Sequence, residues 1–174
     1  PMLDVLLCLV CLAALCLFFA SLRGVNSAAA PLLALCLATL WFAGFGLLGL
    51  LRLGGWLFYI VSLLLVAAAS WLPGSTQLLN TLLTPGLRLF FAGALVLGVW
   101  LSIKQPLFTQ WDEFTFWGIA AKTTKTTGVM YPVADSGLRC TQTEYPALVM
   151  LGYFAQFFGS FAAWKVYWAY GLLY

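Results

Sequence analysis

The densest chemistry in the chain lies in Thr109-Gln110-Trp111-Asp112-Glu113-Phe114-Thr115-Phe116-Trp117, where two adjacent carboxylates are wrapped in four aromatic rings. A carboxylate held among aromatics at a membrane surface is partly desolvated. Its pKa rises, and it becomes suited to taking a proton from a substrate. The rings offer flat faces to a sugar or a lipid. Neighbouring residues on a helix point about 100° apart. Asp112 and Glu113 therefore cannot both address one small group unless they sit at a helix start; one faces a cavity while the other caps or pairs. The same residues also support a purely structural reading. Thr109 followed three residues later by Asp112 is a capping box, and acids in a first turn face the positive end of the helix dipole. Lys122 and Lys125 then fall near the C-terminal end and Gly128 stops the helix. This predicts an amphipathic helix over about 110–127 at the interface, anchored by Trp111, Phe114, Phe116 and Trp117.

Few other residues offer reactive groups. The chain has no histidine, so acid–base work falls to carboxylates, Lys, Tyr or Cys. Cys8, Cys11, Cys16 and Cys36 lie in apolar runs, where cysteine behaves as a small buried hydrophobe. The Cys8–Cys11 spacing is C-x-x-C, but no strand–helix context supports a redox reading. Cys140 alone lies in a polar segment. The glycines at 44, 46 and 49 form a literal G-x-G-x-x-G inside an apolar run. Without a preceding strand this reads as close helix packing rather than nucleotide binding.

These groups must be positioned by membrane helices. The chain is 64% hydrophobic and 7% charged, with a mean hydropathy of +1.02; a soluble domain carries about 25% charge. The sequence is that of an integral, multi-pass membrane protein. Its net charge of +3 is too small and scattered for a nucleic-acid partner. A bilayer core of about 30 Å requires roughly 20 apolar helical residues. Four runs qualify, at about 3–22, 31–51, 55–72 and 87–103, and a fifth is expected at about 146–162, with Lys165 marking its end and another helix starting behind it. Leu78, Leu79, Leu82 and Leu83 suggest a short interfacial helix between the third and fourth. Spans that satisfy their own backbone in lipid are helical. The expected fold is all-α, a polytopic helical bundle with interfacial juxtamembrane helices. Residues 1–86 form an N-terminal unit of about three spans. Residues 87–174 form a second unit of one span, a polar loop at 104–145 and a following span. Opening on Pro1 and closing inside an apolar run, the chain reads as the N-terminal part of a longer membrane protein.

The polar loop carries a resemblance. The stretch "KQPLFTQWDEFTFWGIAAKTTKTTGVMYP", followed after a short loop by "EYPALVMLGYFAQFFG", resembles the first extracytoplasmic loop of the GT-C superfamily of glycosyltransferases. These multi-span enzymes use polyprenyl-phosphate sugars and include bacterial relatives of protein mannosyltransferases and aminoarabinose transferases. In that family an acidic residue, often Asp-Glu, follows the first core span, an amphipathic helix comes next (here Ala120 to Gly128), and an aromatic precedes the loop (here Tyr131). A proline-containing motif, here Tyr145-Pro146-Ala147-Leu148, opens the next span; Ala147 stands where the family has a second proline.

The resemblance implies an inverting transferase of a bacterial inner membrane that moves a sugar from a polyprenyl-phosphate donor to a lipid, glycan or protein acceptor at the extracytoplasmic face. Asp112 would be the catalytic base and Glu113 would orient it or help hold a metal; no cofactor is assigned. Lys122 and Arg139 would neutralise the phosphate, and Tyr131, Glu144 and Tyr145 would line the substrate site. The charge distribution points the other way. Arg52, Lys104, Lys122, Lys125 and Arg139 fall on the side the family places outside, against the positive-inside bias. Two other readings stay open: a non-catalytic subunit using 104–145 as an interfacial assembly surface, and a transporter of a lipid-linked substrate. The scarcity of charge within the spans counts against the transporter.

Overall fold

The structure is a computed structural model that describes residues 2–22, 26–71, 80, 84–110, 117–131 and 146–174. Among these residues it is all helical. Four long helices, α1 (Met2–Ser21), α2 (Ala30–Leu47), α3 (Leu51–Ser70) and α4 (Pro85–Lys104), are each apolar and long enough to cross a membrane, α2 together with the 3-10 turn Ser27–Ala29 before it. Three shorter helices follow, α5 (Trp117–Thr127), α6 (Pro146–Ala155) and α7 (Ala163–Gly171). The protein is an all-α membrane bundle. Large side chains such as Leu40, Leu47, Ile60, Leu64, Leu89, Val96 and Ile103 are exposed on its outer faces, as suits helices set in lipid.

The ends of α2 and α3 depart from the expected boundaries. The second span stops at Leu47 because Gly49 takes a left-handed φ of 70° and the Leu50 amide closes back onto the Phe45 carbonyl at 2.9 Å. α3 restarts at once, so Arg52 stands in its first turn and does not close α2. The three glycines of the 44–49 motif act separately. A Cβ at Gly44 would meet nothing, Gly46 lies against Met130, and Gly49 makes the turn. On α3, Gly54 and Gly55 leave bare backbone on which the rings of Phe45 and Phe157 rest, and the Trp41 indole donates to the Gly54 carbonyl at 2.8 Å.

The spans alternate in direction, so the starts of α1 and α3 and the end of α4 share one end of the bundle. Side-chain contacts fix this arrangement. The Cys11 thiol donates to Ser62 Oγ at 3.2 Å, joining α1 to α3 midway. A Cβ at Gly98 of α4 would come within 3.1 Å of Val5. At the opposite end, Gly86 faces Ala28.

The expected fifth span does not form as one helix. α6 has ten residues, about 15 Å at 1.5 Å per residue, which is half a bilayer. Residues 156–162 leave the helix, and α7 starts at Ala163 with Lys165 in its first turn. The break is held by aromatic packing. Phe42, Phe58, Tyr59, Phe154 and Phe157 form one cluster, and the Tyr59 hydroxyl donates to the Phe154 carbonyl at 3.2 Å. α7 then runs back along α4, its Trp168 indole donating to the Ala94 carbonyl at 2.8 Å. The helix after the polar stretch matches expectation from Trp117 onward: it ends at Gly128, whose φ is +71°. The 72–79 and 81–83 stretches, with the expected interfacial helix, lie outside the described residues.

Candidate functional site

Asp4 opens α1 and Lys165 opens α7. Each would be unfavourable alone in an apolar setting, and the fold brings them together: Lys165 Nζ donates to Asp4 Oδ2 in an ion pair whose side chains are 3% and 8% exposed. The ammonium also donates to the Ser160 carbonyl at 2.9 Å. Gly159 makes this possible, because any Cβ there would land on the Asp4 carboxylate. The 156–162 turn is held from inside by Gln156, whose Oε1 accepts from the Ala162 amide at 3.2 Å.

The pair borders a cleft of about 850 Å³ at the charged end of the bundle. Gln105, just past the end of α4 with a left-handed φ of 44°, lies on one side. Gly118 and Lys122 of α5 lie on another, and Phe108 and Phe161 supply aromatic wall. Phe108 packs against Trp117 at 5.0 Å and Tyr167 at 5.7 Å between ring centres. Trp117, expected as an interfacial anchor, is thus a half-buried member of this aromatic cluster. Among the described residues, the cleft combines two ammonium groups, one of them paired with the one carboxylate, with ring faces, an outline that fits an amphiphile bearing an anionic group.

A second cleft, of about 650 Å³, shares Gly159, Ser160 and Phe161 with the first. It lies between the first turn of α3 and the last turn of α5. Arg52 donates to the Thr127 carbonyl at 3.4 Å, and Lys125 donates to the Phe157 carbonyl at 2.8 Å with its ammonium 5.6 Å from the centre of the Tyr153 ring. Burial, reinforced by the charges of Lys165 and Arg52 and opposed by Asp4, pushes the Lys125 ammonium down to about 8.

Of the candidates read from the sequence, Lys122 lines the first cleft. Tyr131 is buried in the core beside Met130, its amide donating to Thr124 Oγ1 at 3.2 Å, and it lines neither cleft. Asp112, Glu113, Arg139, Glu144 and Tyr145 lie outside the described residues, as do Trp111, Phe114 and Phe116. In sequence, the acid pair falls between Gln110 and α5, whose first residues border the first cleft. Among the described residues no three His, Cys, Asp or Glu side chains converge as metal ligands. The residues missed from sequence are Asp4 and Lys165. Their signal was isolation: Asp4 is the one charge in the first span and Lys165 the one charge after Glu144. No family model matches the chain, and no curated protein or solved structure matches it.

Proposed function

We propose that this protein is an inverting membrane glycosyltransferase that moves a sugar from a polyprenyl-phosphate donor to a lipid, glycan or protein acceptor. The observation that carries the reading is the first cleft. It is an amphiphile-sized space at the end of the spans, bordered by a buried ion pair, a second lysine and aromatic rings; in sequence, the Asp112–Glu113 pair lies between two stretches that line it, 105–108 and the start of α5. On this reading the acceptor oxygen or nitrogen attacks the anomeric carbon as the bond to the lipid phosphate breaks. The bonding electrons leave with the phosphate, and the acceptor's proton passes to the Asp112 carboxylate. Lys122 and Lys165 balance the charge gathering on the phosphate. Asp4 is a positioning residue that holds the Lys165 ammonium at the cleft. The resemblance of about 100–160 to the GT-C loop supports the substrate class, the bacterial inner membrane and the extracytoplasmic face.

The test is sugar transfer by membranes containing the full chain, supplied with radiolabelled polyprenyl-phosphate mannose or its aminoarabinose counterpart. Asp112→Asn is expected to abolish transfer at unchanged protein yield. Transfer at the wild-type rate in that variant would remove Asp112 from the chemistry, and no transfer from either donor by the wild type would remove these two donors. A second reading is a transporter of a lipid-linked substrate: charge is scarce within the spans, but Asp4, in the first turn of one, is buried with Lys165, and buried ionisable residues in spans line substrate pathways. Translocation of a fluorescent lipid-linked sugar across vesicles, without transfer, would select it.

A further inference from the structure

The second cleft has a different composition from the first, and its ligand chemistry is independent of the transferase reading. Its described lining holds two cations, Arg52 and Lys125, with the Thr126 and Ser160 residues nearby and no carboxylate. The cations come from different helices and meet at one concavity. Each spends one hydrogen bond on a backbone carbonyl, whereas a guanidinium carries five N–H donors and an ammonium three. Burial is the main cause of the depressed Lys125 pKa, with Lys165 and Arg52 adding to it and Asp4 opposing it; an anion placed between Arg52 and Lys125 would offset the part due to Arg52.

The apolar side of the cleft identifies the kind of anion. Trp56 stands one turn into the bilayer from Arg52, packed edge-on against Phe157 at 5.6 Å and Phe158 at 5.5 Å. Below it, Ile60, Leu63 and Leu64 continue the same face of α3 at helical spacing, and with Trp56 all four are more than half exposed, at 56%, 51%, 53% and 61% from Trp56 to Leu64. The cation, the aromatic and the aliphatic strip form one continuous track from the membrane boundary inward. A free phosphate would use only the top of that track, whereas a phospholipid would use all of it. We propose that the Arg52–Lys125 cleft binds the phosphate of an anionic phospholipid, with an acyl chain along the Trp56–Ile60–Leu63 face of α3.

The experiment is native mass spectrometry of the full chain purified with phosphatidylglycerol, alongside preparations with phosphatidylcholine and with inorganic phosphate. The wild type is expected to retain phosphatidylglycerol and to release phosphatidylcholine. Arg52→Gln with Lys125→Gln should lower retention about tenfold or more, the scale of charged hydrogen bonds lost. Arg52→Lys should keep most of it, and Arg88→Gln at the opposite end of the bundle should keep all of it. Equal retention by the double Gln variant overturns the proposal, as does equal retention of phosphatidylcholine. Displacement of the lipid by inorganic phosphate overturns the lipid assignment in favour of a free-anion site. Should the double variant not fold, Trp56→Ala decides with the charges intact: reduced retention supports the track and unchanged retention rejects it.

Discussion

Asp4 and Lys165 stand 161 positions apart in the chain and meet as a buried ion pair at the junction of α1, α7 and the 156–162 turn. A buried pair is costly to break because the remaining charge has no solvent and no partner, whereas replacing both members by apolar residues is often close to neutral. Asp4→Asn or Lys165→Met alone is therefore expected to destabilise the folded protein by about 3–5 kcal/mol. Asp4→Leu combined with Lys165→Met should recover most of that loss. Denaturant-induced unfolding of the four proteins in one detergent gives the comparison. If the pair also positions Lys165 for phosphate, the recovered double variant will be stable yet inactive in sugar transfer. Equal stability of either single variant and the wild type would show that the pair is not closed in the membrane.

The depressed Lys125 pKa sets a pH dependence with a definite sign. The folded value is about 8 against an ordinary 10.5, so between these values the unfolded chain binds more protons than the folded one. Stability then rises with pH. The cost of holding the charge is fully present below about pH 8 and is gone above about 10.5. Lys125→Met removes this contribution. The stability difference between Lys125→Met and wild type should therefore shrink as pH climbs through that window, with Arg52, Lys165 and Asp4 as the neighbouring charges in both. A constant difference from pH 7 to 10 would mean that the ammonium is already neutralised by an anion, as a bound phospholipid headgroup would do.

The four spans were legible because runs of this length and hydropathy have no alternative in a bilayer. Their ends were less so. The expected run of 31–51 ended just before Arg52, yet Gly49 supplied the left-handed turn three residues before that arginine, and the turn residues are as apolar as the helices they join. The break after Ala155 left only a weak mark, Gln156 and the Gly159-Ser160 pair set among Phe157, Phe158 and Phe161; in the fold, Phe157 packs onto Gly55 where the helix ends. The end of α5 was legible from Gly128. The Asp4–Lys165 pair was not, because periodicity reports only neighbours along one helix, and this contact joins the two extremes of the chain.

Two glycines separate conformational cost from steric fit. Gly93 sits in α4 with open space where a Cβ would go, so Gly93→Ala should stabilise by about 0.5–1 kcal/mol through helix propensity. Gly159 stands directly against the Asp4 carboxylate. Gly159→Ala must push the turn or the carboxylate away, at about 1–3 kcal/mol for overpacking, and more if the ion pair opens. Thermal scans of both variants in the same detergent check the pair of signs. Destabilisation by Gly93→Ala, or tolerance at Gly159, would contradict the packing described around them.

The direction in which the bundle sits in its membrane follows from labels at its two ends. Arg52, Lys104, Lys122, Lys125 and Lys165 lie at the end shared by the starts of α1 and α3, and Arg88 lies in the first turn of α4 at the other. A single cysteine at exposed Thr126, in a chain whose five native cysteines are replaced, should react with an impermeant maleimide from one side of intact vesicles. A single cysteine at Arg88 should react only from the other. Labelling of both from one side would contradict a four-span bundle. The charge imbalance favours a cytoplasmic Thr126, whereas the transferase reading needs it outside. Reaction of Thr126→Cys in right-side-out vesicles is thus the outcome the proposed activity requires, and reaction only in inverted vesicles would return the charged end, with both clefts, to the cytoplasm.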